Sequence, residues 1–369
     1  MIRMSSASLS EAVRTLHPGY FALVMATGIV SVGLRSHDMT TLSATLMWLA
    51  GGCYLVLLVV SAWRIAVFPT EVRRDLADPS RGFGFFTFVA GTNVLGARFA
   101  LEGYISAAAV LLVVGGLAWL LLGYLVPWTA VLGHRHRPET VGANGTWFIW
   151  VVASQSVAVL AAVLEPAVST GQRELALVAV CSWSVGVVLY GVVGISVVTR
   201  LLLDELRPGD LTPPYWVAMG ATAITALAGA RIVQMTDAPT VTAIRDMVAG
   251  TSVVFWSFGT WLVPALLAAG WWRHVTHRVP LRYEATWWSI VFPLGMYGVA
   301  GVYLGAAIDL PLMAAIGRNE IWLALAVWTA TLATLLVHLS RTLTREPPSL
   351  ARTGSADGGA TSMRGPLND

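Results

Sequence analysis

Long apolar stretches separated by short polar segments dominate this sequence. A membrane-spanning helix needs about 20 mostly apolar residues, and ten stretches come close to that length. The predicted spans are 17–35, 42–67, 84–101, 103–128, 145–164, 174–203, 214–232, 247–270, 286–307 and 320–340. The pattern therefore predicts an all-α integral membrane protein with ten transmembrane helices.

Composition supports this class and excludes several others. Hydrophobic residues make up 56% of the 369 residues and charged residues only 12%, whereas soluble domains carry about 25% charged residues. A soluble enzyme, a nucleic-acid-binding protein and a disordered regulator are therefore excluded. Cys53 and Cys181 both lie in apolar runs, so we expect neither a disulfide framework nor a metal site from them.

The basic residues, all of them arginine, predict the orientation in the membrane. Seventeen arginines fall in the termini and in the segments on the same side as the termini, and six fall on the other side. The positive-inside rule then places both termini in the cytoplasm of a multi-pass plasma-membrane protein. We expect a cytoplasmic segment over 1–16, a transport domain over 17–341 and a disordered tail over 342–369, which is rich in Gly, Ser and Pro.

The odd-numbered spans share a weak repeat. Each has an aromatic residue near its start and small or polar residues one to two turns later. Those later positions are Thr27, Gly28, Thr92, Asn93, Gln155, Ser156, Thr222 and Gly295. The repeat predicts five helical hairpins around a central pore with pseudo-five-fold symmetry, with these residues lining it. The alternative is that the hydroxyl and amide groups bind their own helix or a neighbouring one.

The positions of the charged residues indicate which ions could pass through the predicted pore. Acidic residues are predicted only at span ends or in loops, at Glu102, Glu165, Asp237, Asp309 and Glu320. That argues against a cation channel or a carboxylate-driven pump. Arg98 and Arg231 end spans three and seven on the outer side. There they could attract an anion to the pore mouth, or could instead extend to lipid head groups.

Span nine contains a predicted break. Pro293 cannot donate to the carbonyl of Ser289, so the helix should kink there. Gly295 lets another helix or the passage come close to the backbone. Phe292, beside the kink, would place an aromatic ring at mid-membrane. We predict that Phe292 gates the pore, while Pro293 and Gly295 shape its constriction.

Histidine placement gives little support to enzymatic or redox chemistry. The pairs His134/His136 and His274/His277 lie in arginine-rich loops, where we expect solvated side chains and no metal. A haem-binding membrane subunit would need histidines that face each other, and only His17 and His338 lie within spans. We expect His17 to be structural. The sequence thus predicts a protein that is not an enzyme and has no cofactor.

Two motifs resemble those of a known family. The stretch His17–Ile29, with its Met25-Ala26-Thr27-Gly28-Ile29 core, resembles the first helix of the tellurite-resistance/dicarboxylate transporter family. It is most similar to the branch of fungal malate permeases and sulfite efflux pumps. Trp287–Pro293 resembles helix nine of the plant slow anion channels of the same superfamily. The resemblance implies a homotrimer with a pore in each protomer, occluded by Phe292.

The transported ion and the mechanism stay open at this point. The sequence is compatible with a channel for small monovalent anions. It is equally compatible with a proton- or potential-coupled carrier for malate, another C4-dicarboxylate or sulfite. In either case we expect the partners to be a small anion and the lipid bilayer, with no nucleic acid.

Overall fold

The structure is a computed structural model that describes residues 6–132, 143–235, 238–281 and 283–344. These residues form helices and turns and contain no β-strand. The α-helices are α1 Ser6–Arg14, α2 Ala22–Arg35, α3 Thr40–Val67, α4 Pro69–Ala77, α5 Phe86–Leu101, α6 Ile105–Leu132, α7 Phe148–Leu164, α8 Gln172–Leu203, α9 Val217–Ile232, α10 Pro239–Trp271, α11 Trp288–Ala307 and α12 Pro311–Thr344. The predicted all-α membrane fold is confirmed.

Within the described residues, nine helices are long and apolar enough to cross a membrane. The one predicted span that does not meet this description is the seventh, which contains α9. That helix has 16 residues and is rich in alanine, glycine and threonine. Nearly all of its residues are buried against other helices, so its surface needs little hydrophobicity. Whether α9 crosses the membrane stays a prediction.

Burial divides the long helices into two groups. In the apolar segments that contain α2, α5, α7 and α11, 72–83% of the residues are buried, compared with 6–44% for α3, α6, α8, α10 and α12. We call α2, α5, α7, α9 and α11 the inner helices and the other five the outer helices. Outer helices expose large apolar side chains such as Leu121, Leu202 and Trp261, which suits a surface in contact with lipid.

The inner helices contact one another in a closed cycle. Helix α2 packs against α5, α5 against α7, α7 against α9, α9 against α11, and α11 against α2. Each outer helix packs mainly against the inner helix that precedes it in the chain. The chain is therefore built of inner–outer helix pairs, and the core lies along the axis that the inner helices enclose.

Every inner helix begins with a short 3-10 turn. These turns are Pro18–Phe21, Gly82–Phe85, Gly145–Trp147, Pro213–Trp216 and Ala285–Trp287, and each carries aromatic residues. Two are capped by side chains: His17 Nδ1 accepts from the Gly19 N–H at 3.0 Å, and Asn144 Oδ1 accepts from the Thr146 N–H at 2.8 Å. The aromatic residues of the sequence repeat therefore mark the starts of the inner helices.

Arginines near the ends of three outer helices hold the segments that lead into the inner helices. Arg64 donates to the carbonyl of Arg14 at 3.2 Å, Arg200 to that of Ala143 at 2.6 Å, and Arg273 to that of Leu211 at 2.8 Å. In each case the carbonyl precedes the inner helix of the same pair. These arginines, first noted for their side of the membrane, thus also connect the two ends of a helix pair.

Two outer helices begin earlier than predicted. Helices α10 and α12 start at Pro239 and Pro311, where proline suits the first helical turn. Both therefore continue through charged residues that the apolar pattern had placed outside the spans. Consequently Glu320, predicted at a span end, lies inside the apolar helical segment Pro311–Arg341. Of the predicted C-terminal tail, residues 345–369 lie outside the described residues, and α12 continues to Thr344.

Candidate functional site

A small cavity lies on the axis enclosed by the inner helices, and all five contribute to its wall. Its volume is about 30 Å³. The lining residues are Ile29, Val32, Asn93, Val94, Ala97, Leu101, Ser156, Val159, Val163, Ile224, Leu227, Arg231, Met296, Val299 and Tyr303. A water molecule needs roughly 10–15 Å³ of such space. The cavity is thus too small for a hydrated anion unless side chains move.

Most of this wall is apolar, and hydrogen-bonding groups are concentrated at Asn93 and Ser156. The Asn93 Nδ2 donates to Ser156 Oγ at 3.0 Å, and Ser156 Oγ donates to the Ala153 carbonyl at 2.7 Å. The Asn93 carbonyl oxygen faces Gly115 on the outer helix α6, so closely that a methyl group there would collide with it. One N–H of the amide is thus used on Ser156, and the amide as a whole lies against Gly115 rather than open to the cavity.

Other polar residues of the repeat contact outer helices. Thr27 Oγ1 accepts from Trp328 Nε1 at 3.1 Å, and the hydroxyls of Thr92 and Tyr54 lie 3.0 Å apart. Trp328 belongs to α12 and Tyr54 to α3. The lining of the central cavity includes neither Thr27 nor Thr92.

Gln155 and Thr222 also face outward. Gln155 Nε2 donates to the Trp183 carbonyl of α8 at 3.1 Å, and its side chain fills the space beside Gly186. Thr222 donates to the Met219 carbonyl of its own helix at 2.6 Å and lies against Gly259 of α10. The structure thus brings Asn93 and Ser156 to the central cavity. Gln155 and Thr222 lie instead at contacts between inner and outer helices.

Phe292 is fully buried, with 1% of its surface exposed. It precedes Met296 by four residues, so both lie on the same face of α11. That face continues to Val299 and Tyr303, which line the cavity. Phe292 therefore lies one turn beyond the cavity, toward the side where the inner helices begin.

The proline and the two glycines predicted beside the pore mark close helix contacts. Pro293 packs against Gly220 of α9, where a methyl group would come within 2.8 Å of the proline ring. Gly295 lies against Ile29 of α2, and Gly28 against Val94 of α5. Because these glycines lie where inner helices touch, they bring α2, α5 and α11 close together beside the axis.

Arg231 is the cationic residue of the cavity wall. It also lines a second cavity of about 220 Å³, together with Glu165, Gln234 and Met235. The two cavities therefore meet at Arg231, near the ends of the inner helices. Its guanidinium carbon lies 3.7 Å from the centre of the Tyr303 ring, a cation–π contact that holds the group in place.

Arg98, predicted together with Arg231, has different surroundings. It is completely buried and donates to Ser31 Oγ at 2.8 Å, to Ser43 Oγ at 2.9 Å and to Glu102 at 2.8 Å. It lines neither of the cavities that contain Arg231. Arg98 therefore joins α2, α3 and α5.

His17 lies just before the apolar segment Pro18–Arg35. Burial is the main cause that lowers its pKa to about 4, and the nearby charge of Arg81 acts in the same direction. The ring is thus neutral at neutral pH. This agrees with its acceptor role toward Gly19, because a doubly protonated ring has no acceptor nitrogen.

The described residues hold no cluster of three or more His, Cys, Asp or Glu that could bind a metal ion. The pair His134/His136 lies outside the described residues. His274 and His277 bind backbone carbonyls, those of Val279 and Trp272. Cys53 and Cys181 are free thiols.

Three residues of the cavity wall on α11 were not predicted from the sequence: Met296, Val299 and Tyr303. Each lies three or four residues after the previous one, beginning at Phe292. The same helical period could have extended the predicted gate into a lining face. Tyr303 also had a polar partner in the predicted Arg231, but nothing in the sequence pairs the two.

Comparison with known proteins gives a consistent result. A family model described as SLAC1, voltage-dependent anion channel, matches residues 15–336. An uncharacterised membrane protein of Mycobacterium tuberculosis strain H37Rv is 62% identical over 169 residues, which cover 46% of this chain and 86% of the relative. An uncharacterised transporter of Methanocaldococcus jannaschii is 24% identical over 87% of this chain and 93% of its own. A sulfite efflux pump of Arthroderma otae is 24% identical over 90% and 92%.

Proposed function

Because this chain belongs to the voltage-dependent anion channel family, we propose that it conducts small anions along the axis of its inner helices, with Phe292 as the gate. The family match confirms the resemblance seen in the sequence. The observation that carries the proposal is the central cavity, to which every inner helix contributes a face. Helix α9 would cross the membrane with the others and complete five hairpins around the path.

The wall of the cavity supports an anion as the transported species. Asn93 and Ser156 belong to the wall, where their polar groups are bonded to each other, and Arg231 carries a positive charge at one end. No acidic side chain contributes to this cavity wall. An anion would meet Arg231 at the outer mouth and lose part of its hydration to N–H and O–H donors further in.

Phe292 accounts for closure. Its buried ring precedes the lining residues of α11 by one turn, and the cavity beyond it is too small for a hydrated anion. A change of the Phe292 side-chain rotamer would clear the axis at this turn of α11, and the cavity would widen as its own lining side chains move. Pro293 leaves the backbone of this turn short of one hydrogen bond, which makes local adjustment of α11 easier.

Orientation and assembly complete the proposal. We place both termini in the cytoplasm of the plasma membrane, so that Arg231 faces outward. Three copies would associate through their outer helices, and each protomer would keep its own path.

A second candidate is a carrier that exports sulfite, because a fungal relative over nine-tenths of the chain is a sulfite efflux pump. A malate or other C4-dicarboxylate carrier, and a link to tellurite resistance, rest on the sequence resemblance alone. Hydrogen sulfite brings its own proton, so such a carrier needs no acidic residue on the path.

Flux through purified protein in liposomes tests both candidates. Chloride, nitrate, sulfite and malate would be compared at a set membrane potential, for the wild type and for Phe292→Ala. We expect the substitution to raise flux of several anions, because it removes the ring that closes the path. Phe258→Ala is the control, since Phe258 is exposed on an outer helix.

The outcomes separate the mechanisms. Current carried by several monovalent anions and raised in Phe292→Ala supports the gated channel. Saturable uptake of sulfite alone that depends on a pH gradient supports the carrier. Equal flux in wild type and in a well-folded Phe292→Ala protein contradicts the gate.

A further inference from the structure

A cavity of about 240 Å³ lies beside the end of α10, on the face where the inner helices begin. It is bounded by α10, by the 3-10 turns before α9 and α11, and by the segment between α10 and α11. One part of its wall is apolar, formed by Leu266, Ala269 and Ile290. The other part carries Arg273, Glu284 and the indole rings of Trp216 and Trp287. A cavity with an apolar part and a charged part suits an amphipathic ligand at the membrane interface.

Arg273 turns into the protein at an unusual point of the backbone. Residues Trp272–Thr276 form a π-helical turn at the end of α10, a feature often found at functional sites. The Arg273 side chain is only 8% exposed. Its Nη1 donates to the carbonyls of Gly209 and Leu211 at 3.3 and 2.8 Å. No carboxylate among the described residues forms an ion pair with it.

The corresponding arginine of the first helix pair provides a contrast. Arg64, at the end of α3, borders another cavity, of about 370 Å³, between the first and second helix pairs. Its Nη2 lies 2.7 Å from Asp75 Oδ2, and both side chains are buried. A buried cation is costly without a counter-charge. Arg64 has that charge within the chain, whereas Arg273 shares its cavity with a carboxylate, Glu284, that does not pair with it.

We propose that the cavity beside Arg273 binds a phospholipid with a primary amine in its head group, of the phosphatidylethanolamine type. The phosphate would take the counter-charge position at Arg273, because guanidinium and phosphate form strong charge-assisted hydrogen bonds. The ammonium group would donate to Glu284, which is exposed and, among the described residues, accepts a hydrogen bond from Thr286 Oγ1 at 3.2 Å. An acyl chain would follow Leu266, Ala269 and Ile290 into the membrane.

The pair of opposite charges selects this head group. A glycerol head group, as in phosphatidylglycerol, would satisfy Arg273 through its phosphate but would bring no cation to Glu284. A choline head group has no N–H to donate to the carboxylate. A soluble phosphoethanolamine would find the charges but leave the apolar wall unused.

Native mass spectrometry of the full-length protein, after exchange into detergent with defined lipids, tests this assignment. Wild type would be compared with Arg273→Gln, Glu284→Gln and the control Arg278→Gln. Arg278 lies in the same segment, is exposed and does not line the cavity. The lipids are phosphatidylethanolamine, phosphatidylcholine and phosphatidylglycerol, and soluble phosphoethanolamine is the chain-free probe.

We expect wild type and Arg278→Gln to retain phosphatidylethanolamine in preference to the other lipids. Arg273→Gln should lower retention of all three by about tenfold, in line with the loss of a hydrogen bond between charged groups. Glu284→Gln should keep binding but lose the preference for the primary amine. Since Glu284 is exposed, this variant tests the site even if Arg273→Gln does not fold. Equal retention of all lipids by wild type, or tight binding of phosphoethanolamine alone, would overturn the assignment.

Discussion

Arg98 and Arg231 occupy similar places near the ends of inner helices, but their surroundings give them different roles. Arg98 is enclosed by two serine hydroxyls and Glu102. Arg231 stacks on Tyr303 and borders two cavities. The sequence treats the two as a pair because both follow an apolar run. Only the neighbouring helices decide whether the guanidinium group faces the axis or the gap between helices.

Substituting each arginine by glutamine should separate the two roles. Arg231→Gln should keep the fold and lower anion flux several-fold, because the positive charge at the outer mouth is lost. Arg98→Gln should lower the free energy of unfolding by about 2 kcal/mol or more, because it removes hydrogen bonds from a charged donor. Thermal unfolding in detergent and liposome flux measure both effects. If Arg231→Gln left the flux and its dependence on salt concentration unchanged, Arg231 would not act on the permeating ion.

His17 should make stability depend on pH on the acid side. Its pKa is about 4 in the folded protein and near 6.5 when unfolded, so protonation favours the unfolded chain. The contribution is complete above pH 6.5 and is lost as the pH falls toward 4, by up to about 3 kcal/mol. Melting temperatures between pH 8 and pH 4.5 would show this loss. His17→Asn keeps an acceptor for Gly19 but does not titrate, so its melting temperature should fall less over the same interval.

The sequence could not show whether a polar side chain of an inner helix points to the central axis or to an outer helix. The repeat identified polar positions on inner helices, and Asn93 and Ser156 do reach the central cavity. Thr27, Thr92 and Gln155 bind outer helices instead. A hydroxyl on a helix can turn to the axis or to a neighbour, and the choice depends on a partner far away in the chain. Trp328, the partner of Thr27, lies 301 residues further on.

At the scale of elements, a polar side chain set against a glycine recurs in the helix pairs. Asn93 faces Gly115, Gln155 faces Gly186 and Thr222 faces Gly259. In each case the glycine lies on the outer helix of the same pair. Small residues let two helices approach closely in a membrane, and the polar group can then bond across the contact. In these three pairs, the polar residues of the weak sequence repeat therefore mark the places where the inner helix packs against the outer helix.

Two adjacent glycines of α6 offer a matched test of this fit. Gly115→Ala should destabilise the protein and reduce flux, because the added methyl group collides with Asn93 and displaces it. At Gly116 nothing lies within 4 Å of an added methyl group. Gly116→Ala should therefore be neutral or stabilise the helix, by up to about 1 kcal/mol. Thermal unfolding and flux of the two variants would be compared. Identical behaviour would mean that the contact with Asn93 is not needed.

The presence of the long helices could be predicted from the sequence. Their ends were harder to predict, and the apolar pattern of α9 is weak. Long apolar runs identify all ten long helices, because a lipid environment requires apolar surfaces, although α9 is not among the nine described helices that are long and apolar enough to span a membrane. Helices α10 and α12 begin earlier than predicted, since a charged residue can lie on an exposed helix face without ending the helix. Helix α9 carries a weak apolar signal because its neighbours surround it. A helix that is surrounded by other helices does not need an apolar surface toward lipid, and such a surface is what makes membrane helices easy to recognise in a sequence.

At the scale of the whole molecule, the outer helices expose many large apolar side chains. Part of that surface would be covered if three copies associate, as the family resemblance implies. We expect a trimer in mild detergent or in nanodiscs, and native mass spectrometry would measure it. A protein that is monomeric at all detergent concentrations while still transporting anions would contradict the proposed assembly.

The bond from Trp328 to Thr27 has a consequence for how the protein is made. Among the long helices that the structure describes, α12 leaves the ribosome after the others, yet it packs against α2, which emerges before them. During synthesis, α2 therefore lies in the bilayer without the bond from Trp328 to the Thr27 hydroxyl. One of its faces stays open to lipid until nearly all of the described helices have been inserted. The cycle of inner helices itself closes one helix earlier, when α11 reaches α2. A chain whose synthesis stops before α11 therefore leaves the inner cycle open, with the face of α2 that contacts α11 and α12 exposed to lipid.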